Sequence, residues 1–316
     1  MTLTAAFTEA LLPVLAVAVG GYVLARAADV DVGPINTVGL YVLVPALAFH
    51  SVATTDLGGA AVGRLAVGVV AYTFLMLGLA YVVGRLTGER GPVLGALMLA
   101  AAFPNSGFVG IPLSEFAFGT TGRTTAVLFL TIQNLLVYTV GVYVASRGTG
   151  RGAGEAFREV FRLPLLYAVV AAVIARALGV LPAADTAVMQ TVGMVGDAAV
   201  PVMLLVLGLQ LADTDVGAVA RSSTPALLKL GVAPFVGVGL ALALGFQDPV
   251  VARTFVLECA TPAAVLPLAL TIEYADTSVE GPSAPEYLGT AVFTTTVASV
   301  VVLTVLIAAL RAGLMP

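Results

Sequence analysis

The chain contains no tryptophan, one cysteine (Cys259), one histidine (His50) and one lysine (Lys229). A single cysteine excludes an intrachain disulfide, and one histidine beside it excludes a His/Cys metal cluster. Without tryptophan, any interfacial aromatic belt must come from the nine tyrosines and from phenylalanine. Charge is scarce too: 10% of the 316 residues are Asp, Glu, Lys or Arg, against about 25% in average soluble domains. Acids do not cluster and no Ser/Lys or Ser/His pairing stands out. An enzyme, a cofactor and a nucleic-acid partner are therefore not expected.

Apolar sequence fills the rest. The chain is 59% hydrophobic with a mean hydropathy of +1.06. Apolar runs near span length recur from end to end, each able to cross hydrocarbon at ~1.5 Å per residue. They predict about ten membrane helices: Phe7 to Arg26, Ile35 to Val52, Val62 to Leu86, Val93 to Phe118, Thr124 to Ala145, Leu163 to Leu181, Thr186 to Leu211, Pro225 to Phe246, Val250 to Ala275 and Tyr287 to Leu310. The start, Met1-Thr2-Leu3-Thr4, lacks the basic stretch of a signal peptide, so the first run is expected to remain a membrane span.

The fourth and ninth spans are each interrupted by two prolines. One reads Phe103-Pro104-Asn105-Ser106-Gly107-Phe108-Val109-Gly110-Ile111-Pro112, the other Ala260-Thr261-Pro262-Ala263-Ala264-Val265-Leu266-Pro267. Proline removes a backbone donor and clashes with the preceding turn, so a helix crossing it must kink or unwind. Unwound backbone survives in a bilayer only where protein or a water-filled cavity satisfies it. The breaks lie 262 − 104 = 158 residues apart. Val44-Pro45 and Val200-Pro201 repeat at 201 − 45 = 156, and Ala126-Val127 and Ala291-Val292 at 291 − 126 = 165. The halves thus read as a five-span repeat over residues 1–146, a linker over 147–162 and a second repeat over 163–316. Five is odd, so the second repeat must enter the membrane upside down.

Arginine placement orients the chain. With both termini outside, Arg26, Arg85, Arg90, Arg147, Arg151, Arg158, Arg162 and Arg221 gather on the cytoplasmic side. Arg64, Arg123, Arg176, Arg253 and Arg311, mostly single, fall on the outer side. The expected location is the plasma membrane.

A helix that stops inside the membrane exposes N–H groups at one end and carbonyls at the other. Two breaks crossing at mid-membrane make a site for an anion or a cation. Pro104, Asn105, Ser106 and Gly107 on one side, and Thr261, Pro262 and Ala263 on the other, are the candidate substrate-binding residues. Glu258, one turn before Pro262, is the candidate cation ligand or proton carrier, with Asn105 as its expected partner. Thr131 and Gln133 are the further coupling candidates; they either face the cavity or bond back to their own helix. Asp197 serves either a structural hydrogen bond or a gate. His50 reads as an interfacial contact, and Lys229 is expected to snorkel to the headgroups.

On these residues the chain resembles the auxin efflux carrier family. The matching stretches are Val44 through His50, Pro104-Asn105 through Gly110-Ile111-Pro112-Leu113, Gly208-Leu209, Pro262 through Pro267 with Glu273-Tyr274, and Leu288 through Val292. The resemblance implies an all-α, ten-helix inverted-repeat fold with helices 4 and 9 crossed, shared distantly with bile acid–sodium symporters and NhaA-type antiporters. It implies a scaffold of spans one, two, six and seven, often a dimer interface, and a moving bundle of spans three to five and eight to ten. It also implies small organic carboxylate substrates, such as auxin-like acids or dicarboxylates, driven by Na⁺, H⁺ or neither. By that match Pro104, Asn105 and Pro262 are crossover-site residues. Two features depart from the plant members: the third span lacks their Asp/Lys pair, and the central loop is far too short for their regulatory loop. A cation/proton antiporter on a similar fold is the alternative. Such proteins place paired acids at the crossing, whereas Glu258 stands alone.

Overall fold

Prolines set the geometry of these helices before any tertiary contact does. Four π-helical turns, Phe7–Leu11, Gly39–Leu43, Ser106–Gly110 and Leu227–Val232, each end two residues before a proline: Pro13, Pro45, Pro112 and Pro234. A proline ring clashes with the carbonyl four residues back, and widening the preceding turn relieves that clash without ending the helix. Starts are fixed by caps. Asp31 accepts from Gly33 N–H at 2.9 Å, Asp248 from Val250 N–H at 2.7 Å and Ser283 from Glu286 N–H at 3.2 Å.

The computed structural model describes residues 4, 7–54, 58–146, 164–212, 223–275 and 283–313. The linker expected at 147–162 lies outside the described residues. Seven helical stretches among the described residues are long and apolar enough to cross a membrane, and with the shorter helices they group into ten segments: α1 (Phe7–Ala27), α2 (Val32–Thr54), α3 (Gly59–Thr87), α4, α5 (120–145), α6 (Pro164–Ala177), α7 (Ala187–Ala212), α8 (Ser223–Leu244), α9 and α10 (Ala284–Arg311). The fourth and ninth are broken as expected. They divide into α4a (Gly91–Ala102) and α4b (106–118), and α9a (Pro249–Ala260) and α9b (Leu266–Tyr274).

Two boundaries correct the sequence reading. The second span begins at Val32 rather than Ile35, because Asp31 caps it. The fifth span starts directly after Gly119, whose φ of 69° and ψ of −155° reverse the chain between α4b and α5. A side chain rarely tolerates that φ, and glycine meets no such obstacle. Arg123 therefore lies inside α5, buried, and not in an outer loop.

The helices pack as two groups. In the first, α1 lies along α7 and α2 packs on α6 and α7. In the second, α3 packs on α4a, α8 on α9a, α9a on the α4b–α5 hairpin, and α10 on α4a and α9b, while α3 meets α8. Repeat symmetry exchanges α1 with α6 and α2 with α7, so the α1–α7 and α2–α6 contacts are copies of one another. The ion pair of Glu9 (α1) with Arg311 (α10) at 3.0 Å puts the described ends of the chain on one face, here the terminal face. The opposite face, where α5 ends and α6 begins, is the loop face. Large apolar side chains on the outside, among them Val67, Phe74, Val173 and Val301, are exposed to hydrocarbon.

Candidate substrate site at the helix crossing

At the centre of the molecule the two unwound segments pair as a minimal antiparallel bridge between Pro104 and Ala263. Asn105 N–H donates to the Pro262 carbonyl at 2.7 Å, and Ala264 N–H donates to the Phe103 carbonyl at 2.9 Å. The repeat turns one bond into the other, since 264 − 105 = 159 and 262 − 103 = 159. A local two-fold axis therefore passes through the crossing. The sequence offset of 158 between Pro104 and Pro262 reflects the same relation.

Side chains from α5 and α10 satisfy the rest of the freed backbone. Gln133 Nε2 donates to the Pro104 carbonyl at 2.8 Å while its Oε1 accepts from Ser106 Oγ at 3.1 Å. Ala263 N–H donates to Thr295 Oγ1 at 3.0 Å. This accounting is what allows non-helical backbone to persist at membrane depth. Gln133 thus earns its place at the crossing, whereas Thr131 bonds back to the Val127 carbonyl at 2.8 Å within its own helix.

Asn105 ends the break and starts the next half-helix. Its Oδ1 accepts from Phe108 N–H at 3.1 Å, and its carbonyl accepts from Val109 N–H at 3.2 Å and Gly110 N–H at 2.9 Å. With Oδ1 fixed by that capping bond, Nδ2 is left as the free donor. It is buried and has no hydrogen-bond partner among the described residues. A buried donor of this kind requires a ligand or water to complete it.

That residue lines a cavity of about 260 Å³ between the crossing and the loop face. The bundle side contributes Pro104, Ser106, Gly107, Phe108, Gln133 and Asn134; α2, α6 and α7 contribute Tyr41, Leu165 and Met203 among others. Among the described residues no Asp, Glu, Lys, Arg or His lines it, and most of the described wall is apolar. The N-terminal ends of α4b and α9b border it through Ser106 and Leu266, so positive potential comes from helix ends and an amide, not from a cation. Thr261, Pro262 and Ala263 do not line the cavity. Thr261 Oγ1 donates to the Glu258 carbonyl at 2.9 Å, and Pro262 and Ala263 serve the bridge.

Glu258 sits behind the crossing, fully buried in the last turn of α9a. Its partner is Ser114 and not the expected Asn105: Ser114 Oγ donates to Oε1 at 2.7 Å, and Oε2 has no hydrogen-bond partner among the described residues. Gly110 makes room for it, because any Cβ there would collide with the carboxylate. The charge nearby was misjudged from sequence. Lys229 does not snorkel; it is fully buried, donating to Tyr72 Oη at 2.7 Å and to the Cys259 carbonyl at 3.0 Å. Tyr72 Oη donates to the same carbonyl at 2.9 Å. Cys259 carries one of the orphan carbonyls of the broken helix, and a cation there opposes the negative end of the α9a dipole.

Asp197, left open between structure and gating, accepts from Arg123 at 2.9 Å. His50 packs against Gly193 of α7, toward the terminal face. Tyr72, Ser114, Arg123 and Lys229 were not singled out as site residues from sequence. For Tyr72 and Lys229 a weak signal existed: 229 − 72 = 157 falls within the range of offsets that separate the halves.

Comparison with known proteins places this architecture. The profile of the membrane transport protein family matches residues 6–160 and again 153–307, which fits an internal two-repeat transporter. An uncharacterized transporter from the archaeon Methanothermobacter thermautotrophicus is 31% identical over 272 residues, covering 84% of this chain and 88% of that protein. Both similarities point to transport rather than enzymatic activity.

Proposed function

The chain belongs to the auxin efflux carrier family of membrane transport proteins, and from that premise we propose that it is a secondary carrier of small organic carboxylates. The observation that carries this reading is Asn105, whose buried Nδ2 has no hydrogen-bond partner among the described residues, lining an apolar cavity bordered by two half-helix N-termini. One carboxylate oxygen completes the Asn105 donor, and the helix ends stabilise its charge. Among the described residues no cation in the lining meets an ionised second carboxylate, so a singly charged acid with an apolar body fits the described wall better than a dicarboxylate.

Transport then proceeds by displacement of one helix group against the other. The cavity is walled by α2, α6 and α7 on one side and by α4, α5 and α9 on the other, so sliding the second group carries the crossing with it. In this reading α3–α5 and α8–α10 are the moving bundle, and α1, α2, α6 and α7 are the scaffold and the dimer interface. Pro104, Asn105, Ser106 and Gly107 contact substrate. Thr261, Pro262 and Ala263 hold the crossing in shape, and Gln133 braces it. Glu258 couples flux to H⁺ or Na⁺, with the plasma membrane as the site of action and both termini outside.

The test is flux of labelled monocarboxylates and dicarboxylates into proteoliposomes under imposed Na⁺ or pH gradients. Uptake of at least one monocarboxylate supports the reading. Cation exchange with no carboxylate moving would replace it with an antiporter.

A further inference from the structure

The cavity lies on the loop side of the crossing, and the polar contacts that tie the two helix groups together lie on the other side. Arg123 of α5 donates through Nη1 to Asp197 Oδ1 on α7 at 2.9 Å and to Glu115 Oε1 on α4b at 3.1 Å. One residue on, Thr124 Oγ1 donates to the Ser51 carbonyl of α2 at 3.3 Å. Arg311 of α10 donates through Nη1 to Glu9 Oε2 on α1 at 3.0 Å. It also caps the end of α4b, through Nε to the Ala117 carbonyl at 2.9 Å and Nη2 to the Phe116 carbonyl at 2.8 Å.

Every one of these contacts clusters around residues 115–124, the tip of the α4b–α5 hairpin at the terminal face. The cavity-lining residues of the same helices sit farther toward the loop face: Gln133 is ten residues beyond Arg123, and Gln210 thirteen beyond Asp197. At ~1.5 Å per residue the contacts and the cavity mouth are separated by roughly 15 to 20 Å along the helices.

We infer that Arg123–Asp197 and Arg311–Glu9 form a latch that holds the bundle against the scaffold in the state whose cavity faces the loop side, and that the latch opens when the cavity turns to the terminal side. Displacing the hairpin tip toward the terminal face must separate Arg123 from Asp197 and Arg311 from Glu9, because each pair has one member on each helix group. Glu115 moves with Arg123, so the arginine keeps one carboxylate partner when Asp197 is lost. Arg311 likewise keeps its two carbonyls on α4b. Each cation is therefore still partnered on its own side, which lowers the cost of opening compared with a buried pair that leaves a bare charge behind. Asp197 is 63% exposed and Glu9 57% exposed, so water takes over both released acids.

The latch predicts a shift in which side the cavity faces, readable without any substrate. The native Cys259 is buried, so a reporter Met203→Cys on the cavity wall can be labelled by an impermeant thiol reagent from either side of the vesicle membrane. With the latch intact, labelling favours the loop face. In Asp197→Asn with Glu9→Gln, the ratio of terminal-face to loop-face labelling should rise by about three- to tenfold, as two partly exposed ion pairs warrant. Arg123→Lys, which keeps a cation beside both Asp197 and Glu115, should leave the ratio near that of the parent. Arg64→Gln, which removes a contact made within the bundle to the Gly245 carbonyl, should also leave it unchanged. An unchanged ratio in the neutralised variant overturns the latch, as does an equal rise in Arg64→Gln. Labelling is independent of carboxylate transport, so failure here leaves the substrate assignment standing, and failure of the flux assay leaves the latch standing.

Discussion

Lys229 of α8 and Tyr72 of α3, 157 residues apart, touch: the ammonium donates to the phenol oxygen at 2.7 Å and lies 5.2 Å from the ring centroid. Inverted symmetry brings α3 and α8 together beside the crossing, and the chain has used the meeting point asymmetrically. One repeat supplies a cation, the other a neutral hydroxyl, and both converge on the Cys259 carbonyl at the broken end of α9a. Glu258, the residue before Cys259, interacts electrostatically with Lys229 across that same turn.

Removing the phenol hydroxyl isolates its share of this arrangement. Tyr72→Phe keeps the ring and deletes one buried donor and acceptor, which should lower unfolding stability by about 0.5–1.5 kcal/mol. Lys229→Met removes the cation altogether and should cost transport more than stability. Thermal unfolding in detergent and proteoliposome flux check the two claims. A Tyr72→Phe protein as stable as the parent would mean that the hydrogen bonds contribute nothing.

Gly110 and Glu258 should be coupled through space. Gly110→Ala pushes a methyl group into the carboxylate, and overpacking at so buried a place typically costs about 1–3 kcal/mol. The same substitution in a Glu258→Ala background should cost far less, because the obstructing atoms are gone. A double-mutant cycle on unfolding stability measures the difference. Additive effects would show that Gly110 is needed for something other than this approach.

Much of this was legible in the sequence because it follows from local chemistry. Two prolines in each of two apolar spans dictated the breaks, a recurring offset of 156–165 dictated the repeat, and an odd span count dictated its inversion. Asn105 was visible as an amide beside a break. What stayed hidden depends on which turns of different helices come face to face. Glu258 finds Ser114 144 residues away, a pairing no spacing rule encodes. Lys229 looked like a residue near a span end, and only the packing of α3 against α8 shows that its ammonium reaches an orphan carbonyl. Arg123 looked like a loop residue because the Gly119 reversal takes a single residue, and a hairpin that tight leaves no polar stretch to mark it.

Coupling through Glu258 is tested by Glu258→Gln, which keeps the shape and removes the charge. If the carboxyl carries H⁺ or holds Na⁺, the variant should lose gradient-driven accumulation and retain exchange of substrate for substrate. Identical Na⁺ and pH dependence in variant and parent would reduce Glu258 to a structural acid held by Ser114.

Bundle motion has its own signature. Cysteine cross-links between α2 and α4b, which belong to different groups, should stop transport, while cross-links between α4b and α9a, which belong to the same group, should not. The reverse pattern would assign the groups wrongly.

The most direct measurement is the affinity of the purified protein for the carboxylate that the flux panel selects, compared between the parent and Asn105→Ala. A hydrogen bond from a buried amide to a charged oxygen contributes about 1.5–3 kcal/mol, which corresponds to a loss of roughly 10- to 150-fold in affinity. The account predicts a loss in that range, with the variant still folded and still membrane-inserted. An unchanged Kd would contradict it and remove Asn105, and with it the crossing cavity, from substrate recognition.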